Sequence, residues 1–436
     1  MACSKGLSER LKEDRISQLP DLLICHILNH LRTHEVVRTS VLSSRWRSLW
    51  LSVPSLELAR WKFPDFISFM SFGDRFFHSD RATCIQNVEL SLDRNDASYL
   101  ASWIDALTKR KIQRLSVERG FYHKMPLSLY VCETLVHLRL QWVTFVSAEF
   151  VFLPCLKTMY LNSVRYHKEA TLERLVSSCP VLEDLDIFTF GGEANILRVH
   201  SQSLKRLTLV RRFSFDPTTG ILIDAPQLGY LSIDDDLSES LVITNMDANC
   251  KLVLVFRSIS FDEASLASQI INRFHSFLPG ISKVRDMIID LAAFKLICEY
   301  LKTKPLPRFG YMTRLHVTLC CSPLECLLTF LESFPNLKSL SLVFDYDKRS
   351  APDETNQIIF SPVPECLLSS LEFVDFRIKT WERLVAMRLG RYFLENSAIL
   401  KNLTLLTSHS RLQKSAFKEL LKMPRGSTEC EVVLDW

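Results

Sequence analysis

Glycine is scarce in this sequence, with 11 residues among 436. The glycine-rich motifs that cradle phosphates, GxxxxGK[ST] and GxGxxG, do not occur. The GxSxG motif of hydrolases and the HExxH motif of zinc proteases are also absent. The sequence therefore gives no support to nucleotide binding or to these catalytic classes. We expect a protein that is not an enzyme and that uses no cofactor.

Charge of one sign is not in large excess either. The chain carries 53 Lys and Arg against 49 Asp and Glu, for a net charge of +4. A protein dedicated to nucleic acid usually shows a stronger and more clustered basic excess. No run of 18 uncharged apolar residues occurs, and the opening MACSKGLSERLKEDR has no apolar core. We therefore expect no nucleic-acid partner, no membrane contact and no signal peptide.

The 13 cysteines show no disulfide framework in the sequence. Their number is odd, no CxxC pair occurs, and several lie inside apolar runs such as LLICHIL and KLICEYL. Secreted frameworks have even counts and tight spacing, whereas thiols in apolar runs behave as small hydrophobes. We expect buried thiols and a reducing compartment, which is the cytosol or the nucleus.

A small helical module is predicted near the start of the chain. In DRISQLPDLLICHILNHL, Pro20 can open a helix, and apolar residues then recur at three- and four-residue steps. Thr33 can N-cap a second helix. A short third helix would carry Trp46, Leu49 and Trp50 on one face. Three helices in so few residues bury their own apolar surface poorly, so the module needs the rest of the chain or a partner.

The string DRISQLPDLLICHILNHLRTHEVVRTSVLSSRWRSLW resembles an F-box, in the form common in large plant F-box families. Two positions depart from that form, Arg32 where proline is usual and Ser44 where lysine is usual. The resemblance implies binding to a Skp1-like subunit and, through it, to a cullin. The candidate contacts are the apolar residues of the module, and some of them must instead hold it together: Leu19, Pro20, Leu23, Ile27, Leu31, Val36, Val41, Leu42, Trp46, Leu49 and Trp50. Of these, the tryptophan pair is the expected hot spot.

An L-x-x-L-x-L unit repeats through the middle of the chain. Its copies begin at Leu135, Leu156, Leu182, Leu204 and Leu228, with periods of 21 to 26 residues. Periods of 20–29 residues with this spacing are the signature of leucine-rich repeats, each giving one short strand. Degenerate copies lie upstream in VELSL and IQRLSV, and downstream in KLVLVF, TRLHVTL and at Leu337. We expect an irregular, curved α/β solenoid.

The last part of the chain resembles the FBD region of plant F-box proteins. The resemblance lies in VPECLLSSLEFVDF, in a helix with Leu389, Tyr392 and Phe393, and in AILKNLTL. The terminal AFKELLKMPRGSTECEVVLDW predicts a helix and a final strand that cap the repeats. The expected fold class is α/β, with an N-terminal three-helix F-box, an irregular leucine-rich-repeat solenoid and a C-terminal FBD cap. The expected boundaries are a flexible 1–13, the F-box over 14–60, the repeats over 84–345 and the FBD region with its cap over 356–436.

Several clusters outside these motifs allow a functional interpretation, and in each a simpler one is favoured. His26, His30 and His34 have metal-like spacing, but polar-face histidines are favoured because no further ligand completes a set. For Asp234–Asp236 a solvated loop is favoured, and for Arg211–Arg212 a solvated pair. For Cys320, Cys321 and Cys326 we favour buried thiols over redox chemistry. The RWRSLW run could bind single-stranded nucleic acid, but the balanced charge makes this the weakest alternative.

The expected function is that of a non-catalytic substrate-recognition adaptor of an SCF-type ubiquitin ligase. In it the F-box would bind the Skp1-like subunit, and the solenoid would bind a protein substrate that the sequence does not identify. The alternative is a Skp1-binding or repeat-based interaction scaffold without ligase output. Co-purification of the chain with a cullin distinguishes the two.

Overall fold

The structure is a computed structural model. It describes residues 16, 18–79, 85–93, 97–118, 122–166, 170–190, 196–212, 220–235, 240–256, 275, 277–320, 324–345, 363–378, 383–407 and 420–435. The chain forms two compact units, residues 1–153 and residues 154–436. The predicted flexible segment 1–13 lies outside the described residues.

The first unit begins with the predicted helical module. Helix α1 spans Asp21–Leu28 and helix α2 spans Thr33–Arg38. Short 3-10 helices follow at Thr39–Val41 and Leu49–Ser52, with turns between them. The third helix was therefore predicted wrongly. Serines at positions 43 and 44 favour local hydrogen bonds over helix continuation, and the few residues before Pro54 leave room only for a tight turn.

The predicted cap of α2 is also wrong. The N-cap position belongs to Arg32, whose backbone N–H donates to the carboxylate of Glu35 at 3.0 Å. The Thr33 hydroxyl instead accepts from the backbone N–H of Glu57 at 2.7 Å, and so ties the start of α2 to the following strand. Thr33 therefore anchors the module to the repeats rather than capping its helix.

Parallel strands follow in the first unit. Their pairing order is β1 (Ser55–Ala59), β2 (Asn87–Ser91), β3 (Arg114–Glu118) and β5 (His137–Gln141). A second, shorter pair is formed by β4 (His123–Lys124) and β6 (Val143–Phe145). Two helices, α3 (Phe66–Phe77) and α4 (Ala97–Lys109), pack against each other. Asp65 caps α3 by accepting from the Ser68 N–H at 2.7 Å.

The second unit contains a parallel sheet in which each repeat adds one strand. Its strands pair in the following order: β7 (Thr158–Asn162), β9 (Asp184–Phe190), β11 (Arg206–Arg212), β13 (Tyr230–Asp235), β15 (Lys251–Val255), β16 (Asp286–Ile289), β17 (Arg314–Leu319), β18 (Ser339–Phe344), β19 (Phe373–Ile378), β20 (Asn402–Thr407) and β21 (Glu431–Asp435). The last three lie in the predicted FBD region and its cap, so this region continues the repeat sheet. The predicted α/β repeat architecture is confirmed.

Other elements complete each repeat of the second unit. Helices α5 (Ala170–Ser177), α6 (Leu291–Leu301), α7 (Leu324–Leu331), α8 (Glu365–Ser369) and α9 (Arg383–Asn396) follow individual strands, and β8 is Arg165–Tyr166. Between residues 196 and 246, short strands follow the main-sheet strands instead of helices. They form a second parallel sheet of β10 (Ile196–His200), β12 (Gly220–Ala225) and β14 (Ser240–Met246). The second sheet was not predicted, nor were β1 and β16.

Alternation along the strands divides the sheet into a buried and an open face. In β11 the side chains of Leu207 and Leu209 are buried, while Arg206 and Thr208 lie on the other side. The same alternation recurs in β17, where Leu315 and Val317 are buried. Because successive strand residues point to opposite faces, the apolar set covers one face of the sheet and the polar set covers the other. We call the face that carries the polar side chains the open face.

Two expectations about polar residues are wrong. Arg211, Asp234 and Asp235 are buried rather than solvated, and Arg212 forms an ion pair with Asp234 at 3.3 Å. Arg211 lies two residues after the buried Leu209, and Asp235 lies two residues after the buried Ile233. Because side chains alternate along a strand, both point to the buried face. Asp236 lies outside the described residues.

The thiol expectation is also partly wrong. Cys326 in α7 is joined by a disulfide to Cys298 in α6, with the two Cα atoms 5.6 Å apart. The helices that carry them pack side by side, and this packing brings together two residues 28 positions apart. Cys320 is buried and free, and Cys321 lies outside the described residues.

Candidate partner-binding surface

The first helix of the module has two apolar stripes of opposite exposure. Ile24 and Leu28 are buried, whereas Leu23 is 50% exposed, Ile27 45% and Leu31 42%. The exposed residues are four positions apart, so they line one side of α1 and its C-terminal extension. Pro20 occupies the N-cap position and Asp21 lies in the first turn, where a carboxylate is favourable.

Further aliphatic side chains of the module are open to solvent. Leu22 and Val41 are each 85% exposed, and Leu42 is 64% exposed. Leu22 was missed in the sequence because it lies outside the stripe that a helical pattern selects. We name the whole set the exposed aliphatic surface: Leu22, Leu23, Ile27, Leu31, Val41 and Leu42. Exposure of so many large aliphatic residues in one small module is uncommon on the surface of a monomer.

Four of the remaining candidates are part of the core, whereas Pro20 is exposed. Val36, Trp46, Leu49 and Trp50 are all buried, and Leu19 is half-buried. The Trp50 indole stacks on Phe72 and Phe76 of α3, with ring centroids 5.0 and 6.0 Å apart, and its Nε1 donates to the Arg47 carbonyl at 3.2 Å. Trp50 therefore anchors the module on α3.

An ion pair between Arg45 and Asp21 joins the two ends of the helical module. The Arg45 guanidinium donates to the Asp21 carboxylate at 2.9 Å through Nε and to the Leu19 carbonyl at 2.5 Å through Nη2. These bonds join the segment before Trp46 to the start of α1. They hold the exposed face of α1 in place relative to the core, while Arg47 remains exposed.

The open face of the second unit carries a ladder of charges. Asp184 pairs with Arg206 at 3.2 Å, and the Arg206 guanidinium lies 4.6 Å from the ring centroid of Tyr230. Farther along the sheet, Asp286 pairs with Arg314 at 3.5 Å. These contacts link residues that occupy the same register position on successive strands. The open face is thus a regular polar surface whose charges are paired between neighbouring strands.

Metal-ligand geometry is not found in the part of the chain that the structure describes, where no three His, Cys, Asp or Glu side chains converge. His26 and His30 are both exposed, with ring centroids 5.2 Å apart. Among the described helices, none is long and apolar enough to cross a membrane.

Comparison with known proteins assigns the chain to a family. Residues 16–58 match the F-box domain, residues 100–263 match the family described as "FBD-associated F-box protein At5g56370, LRR repeats", and residues 359–405 match FBD. The putative F-box/FBD/LRR-repeat protein At2g05300 of Arabidopsis thaliana is 54% identical over all of both chains. The putative FBD-associated F-box protein At5g53635 of the same plant is 52% identical over 96% of this chain and 99% of its own length. The F-box/FBD/LRR-repeat protein At5g22660, also from Arabidopsis thaliana, is 40% identical over 98% of each chain. The chain therefore belongs to the plant F-box/FBD/LRR-repeat family, and its F-box and repeat regions indicate a protein-interaction adaptor.

Proposed function

We propose that this protein is the substrate-recognition adaptor of an SCF-type ubiquitin ligase. In this proposal the F-box binds a Skp1-like subunit and, through it, a cullin, while the repeat units bind the substrate protein. The chain itself performs no chemistry; it raises the local concentration of substrate at the ligase. The observation that carries the proposal is the exposed aliphatic surface of the F-box.

The energetics of this surface favour a partner. Covering a fully exposed aliphatic side chain contributes about 1.5–3 kcal/mol. The Leu23, Ile27 and Leu31 stripe has the spacing of a helix that lies in an apolar groove. Trp46 and Trp50 contribute indirectly in this proposal, because they are buried and hold the module that presents the stripe.

The experiment is co-purification of the full chain with a plant Skp1-like protein and a cullin. Leu23→Asp with Ile27→Asp should abolish capture of both while the thermal unfolding midpoint stays within a few degrees of wild type, because both side chains are exposed. The matched control is Leu127→Asp with Val131→Asp, which changes two exposed aliphatic residues elsewhere in the same unit. Capture by the α1 variant at the wild-type level would overturn the assignment of this surface. Capture of the Skp1-like protein without the cullin would favour an interaction scaffold over a ligase adaptor.

A cytosolic or nuclear location is part of the proposal. It is supported by eight free cysteines among the described residues, most of them buried. A disulfide such as Cys298–Cys326 in that compartment would respond to the local redox state rather than stay permanently closed. Imaging of a fluorescent fusion tests the location.

A further inference from the structure

A group of exposed or half-buried cations lies where strands β15 to β18 of the second unit begin. Lys251, Asp286 and Arg314 are direct partners at the starts of β15, β16 and β17. Arg285 immediately precedes β16, and its carbonyl accepts from the backbone N–H of Arg314 at 3.0 Å. The next strand adds Lys338, whose N–H donates to the Thr313 carbonyl at 2.9 Å. We call Lys251, Arg285, Arg314 and Lys338 the basic rim.

Acidic side chains do not neutralise the basic rim among the described residues of these strands. Asp286 is the one carboxylate between its members, and it pairs with Arg314 at 3.5 Å. Glu372, at the start of the following repeat, is held by Lys401 at 2.7 Å, although Lys338 also acts on it and helps to lower its pKa. Lys283 adds another exposed cation just before Arg285. The rim thus carries a positive excess in a chain whose total net charge is only +4.

At the other end of the sheet, Lys205 and Arg206 each have a carboxylate partner, and Lys157 beside Glu183 adds one further cation. Lys205 pairs with Glu183 at 3.3 Å, and Arg206 pairs with Asp184 at 3.2 Å. Both ends have the same fold and register, so the repeat architecture does not by itself require uncompensated cations. The larger excess belongs to the rim, where one of four cations has a carboxylate partner in these strands.

Apolar side chains lie next to the rim on the open face. Val253 and Ile288 are register partners two residues beyond Lys251 and Asp286, and both are half-buried. At about 3.3 Å per residue, this second column lies roughly 7 Å from the first. His316 follows in that column, donating to or accepting from the Ser341 hydroxyl at 3.0 Å. Burial, followed by the charges of Arg377 and Lys251, lowers the pKa of His316, so the positive potential reaches this second column.

We propose that the basic rim, with Val253 and Ile288 beside it, is the docking site for an acidic segment of the substrate protein. The segment carries Asp or Glu side chains for Lys251, Arg285 and Lys338, and an aliphatic residue about 7 Å from the carboxylate that meets Lys251, for the apolar pair. Charge complementarity selects this occupant, because complementary potential attracts an acidic segment and repels a basic one. The inference rests on the proposed adaptor function, since it names the chemistry of the substrate.

The test uses the full chain. Fluorescence anisotropy measures binding of a labelled peptide of about twelve residues, rich in Asp and Glu with a central leucine, at roughly 150 mM salt. The variant Lys251→Glu/Arg285→Glu/Lys338→Glu should weaken binding at least about tenfold, and replacing the peptide leucine with serine should weaken it further. The matched variant Lys124→Glu/Lys304→Glu/Lys157→Glu makes the same charge change at three exposed lysines outside the rim, and should leave binding within about twofold.

Two outcomes would overturn the inference. One is equal peptide binding by the rim variant and its matched control. The other is tighter binding of single-stranded RNA than of the peptide, with the same sensitivity to the rim variant, because the rim would then be a polyanion site for nucleic acid. Failure here is distinguishable from failure of the proposed function. The rim variant should still capture the Skp1-like protein, whereas Leu23→Asp/Ile27→Asp should lose that capture and still bind the peptide.

Discussion

Arg211 and Asp235 are direct register partners on β11 and β13, and each is only 3% exposed. They lie on the buried face of the sheet, beyond Leu209 and Ile233. The Arg211 guanidinium also donates to the Gly220 carbonyl at 3.5 Å, which links the main sheet to the second sheet. Burial lowers the pKa of Arg211, and the Asp235 carboxylate opposes that shift. A charged pair therefore occupies an inward position that Leu319, Phe344 and Ile378 fill in later strands.

Removal of one member of this pair should destabilise the second unit strongly. Asp235→Leu leaves the Arg211 charge buried without its register partner, and breaking a buried pair costs about 3–5 kcal/mol. Arg211→Met should have a comparable effect. The double variant should recover most of the loss, because an apolar pair suits this face. Urea unfolding of the three variants measures the coupling, and additive losses would show that the two residues do not act as a pair.

The buried position of Arg211 and Asp235 could have been predicted from the alternation of side chains along each strand. Leu207, Leu209 and Arg211 alternate along β11, as Leu231, Ile233 and Asp235 do along β13. A polar residue after an apolar strand is ordinarily solvated, and we followed that rule. The rule failed because β11 and β13 both continue past the last residue of the apolar pattern, Leu209 and Ile233, and so include Arg211 and Asp235.

The repeat strands were predicted well where leucine marks the inward positions. The strand β16, with sequence DMII, has no such leucine spacing, and its place in the sheet is visible only from its pairing with β15 and β17. The second sheet was missed for a different reason. Short strands and short helices fill the same place in a repeat, and the choice between them depends on contacts with neighbouring repeats.

Exposure within the F-box could not be predicted from sequence. Leu23 and Ile24 are adjacent apolar residues on α1, and each belongs to a stripe with four-residue spacing. A helical pattern shows both stripes but does not show which one faces the core. The packing of α1 on the Leu49–Ser52 turn decides this, since it buries Ile24 and Leu28. The two tryptophans were expected to be the hot spot and are instead buried.

Gly73 in α3 should tolerate no side chain. A Cβ at this position would lie 2.7 Å from Cη2 of Trp103, which is fully buried and donates through Nε1 to Asp74 at 3.0 Å. Gly73→Ala should therefore destabilise the first unit by about 1–3 kcal/mol, in spite of the better helix propensity of alanine. Gly310→Ala is the matched control, because no atom lies within 4 Å of its Cβ position. Calorimetry of the two variants makes the comparison, and equal unfolding midpoints would contradict the close approach.

His316 should titrate below its usual range. Its pKa is lowered by burial and by the charges of Arg377 and Lys251, against a smaller opposing effect of Asp286. A histidine whose pKa is lowered on folding binds protons less readily in the folded state than in the unfolded state. Its contribution to stability is therefore intact above the unfolded pKa of about 6.5 and is lost as pH falls through the folded pKa. An NMR titration of the ring should give a midpoint below 6.5, and Arg377→Gln should raise it; a midpoint unchanged in that variant would contradict the assigned cause.

Reduction of Cys298–Cys326 should loosen the packing of α6 against α7. The bond joins residues 28 positions apart, and closing a loop of that size stabilises a fold by about 3–4 kcal/mol in the chain-entropy model. Dithiothreitol should lower the unfolding midpoint of the oxidised protein by several degrees and should leave Cys298→Ala/Cys326→Ala unchanged.

Thiol labelling of the native protein gives an independent measure of the disulfide. Cys179, Cys250 and Cys366 are buried, with pKa values raised to about 12, and should stay unreactive. The exposed Cys155 should react in both redox states, whereas the half-buried Cys326 should react only after reduction. Labelling of Cys326 before reduction would show that the two thiols are not joined. A midpoint that falls equally in the double variant would place the effect of the reductant elsewhere in the chain.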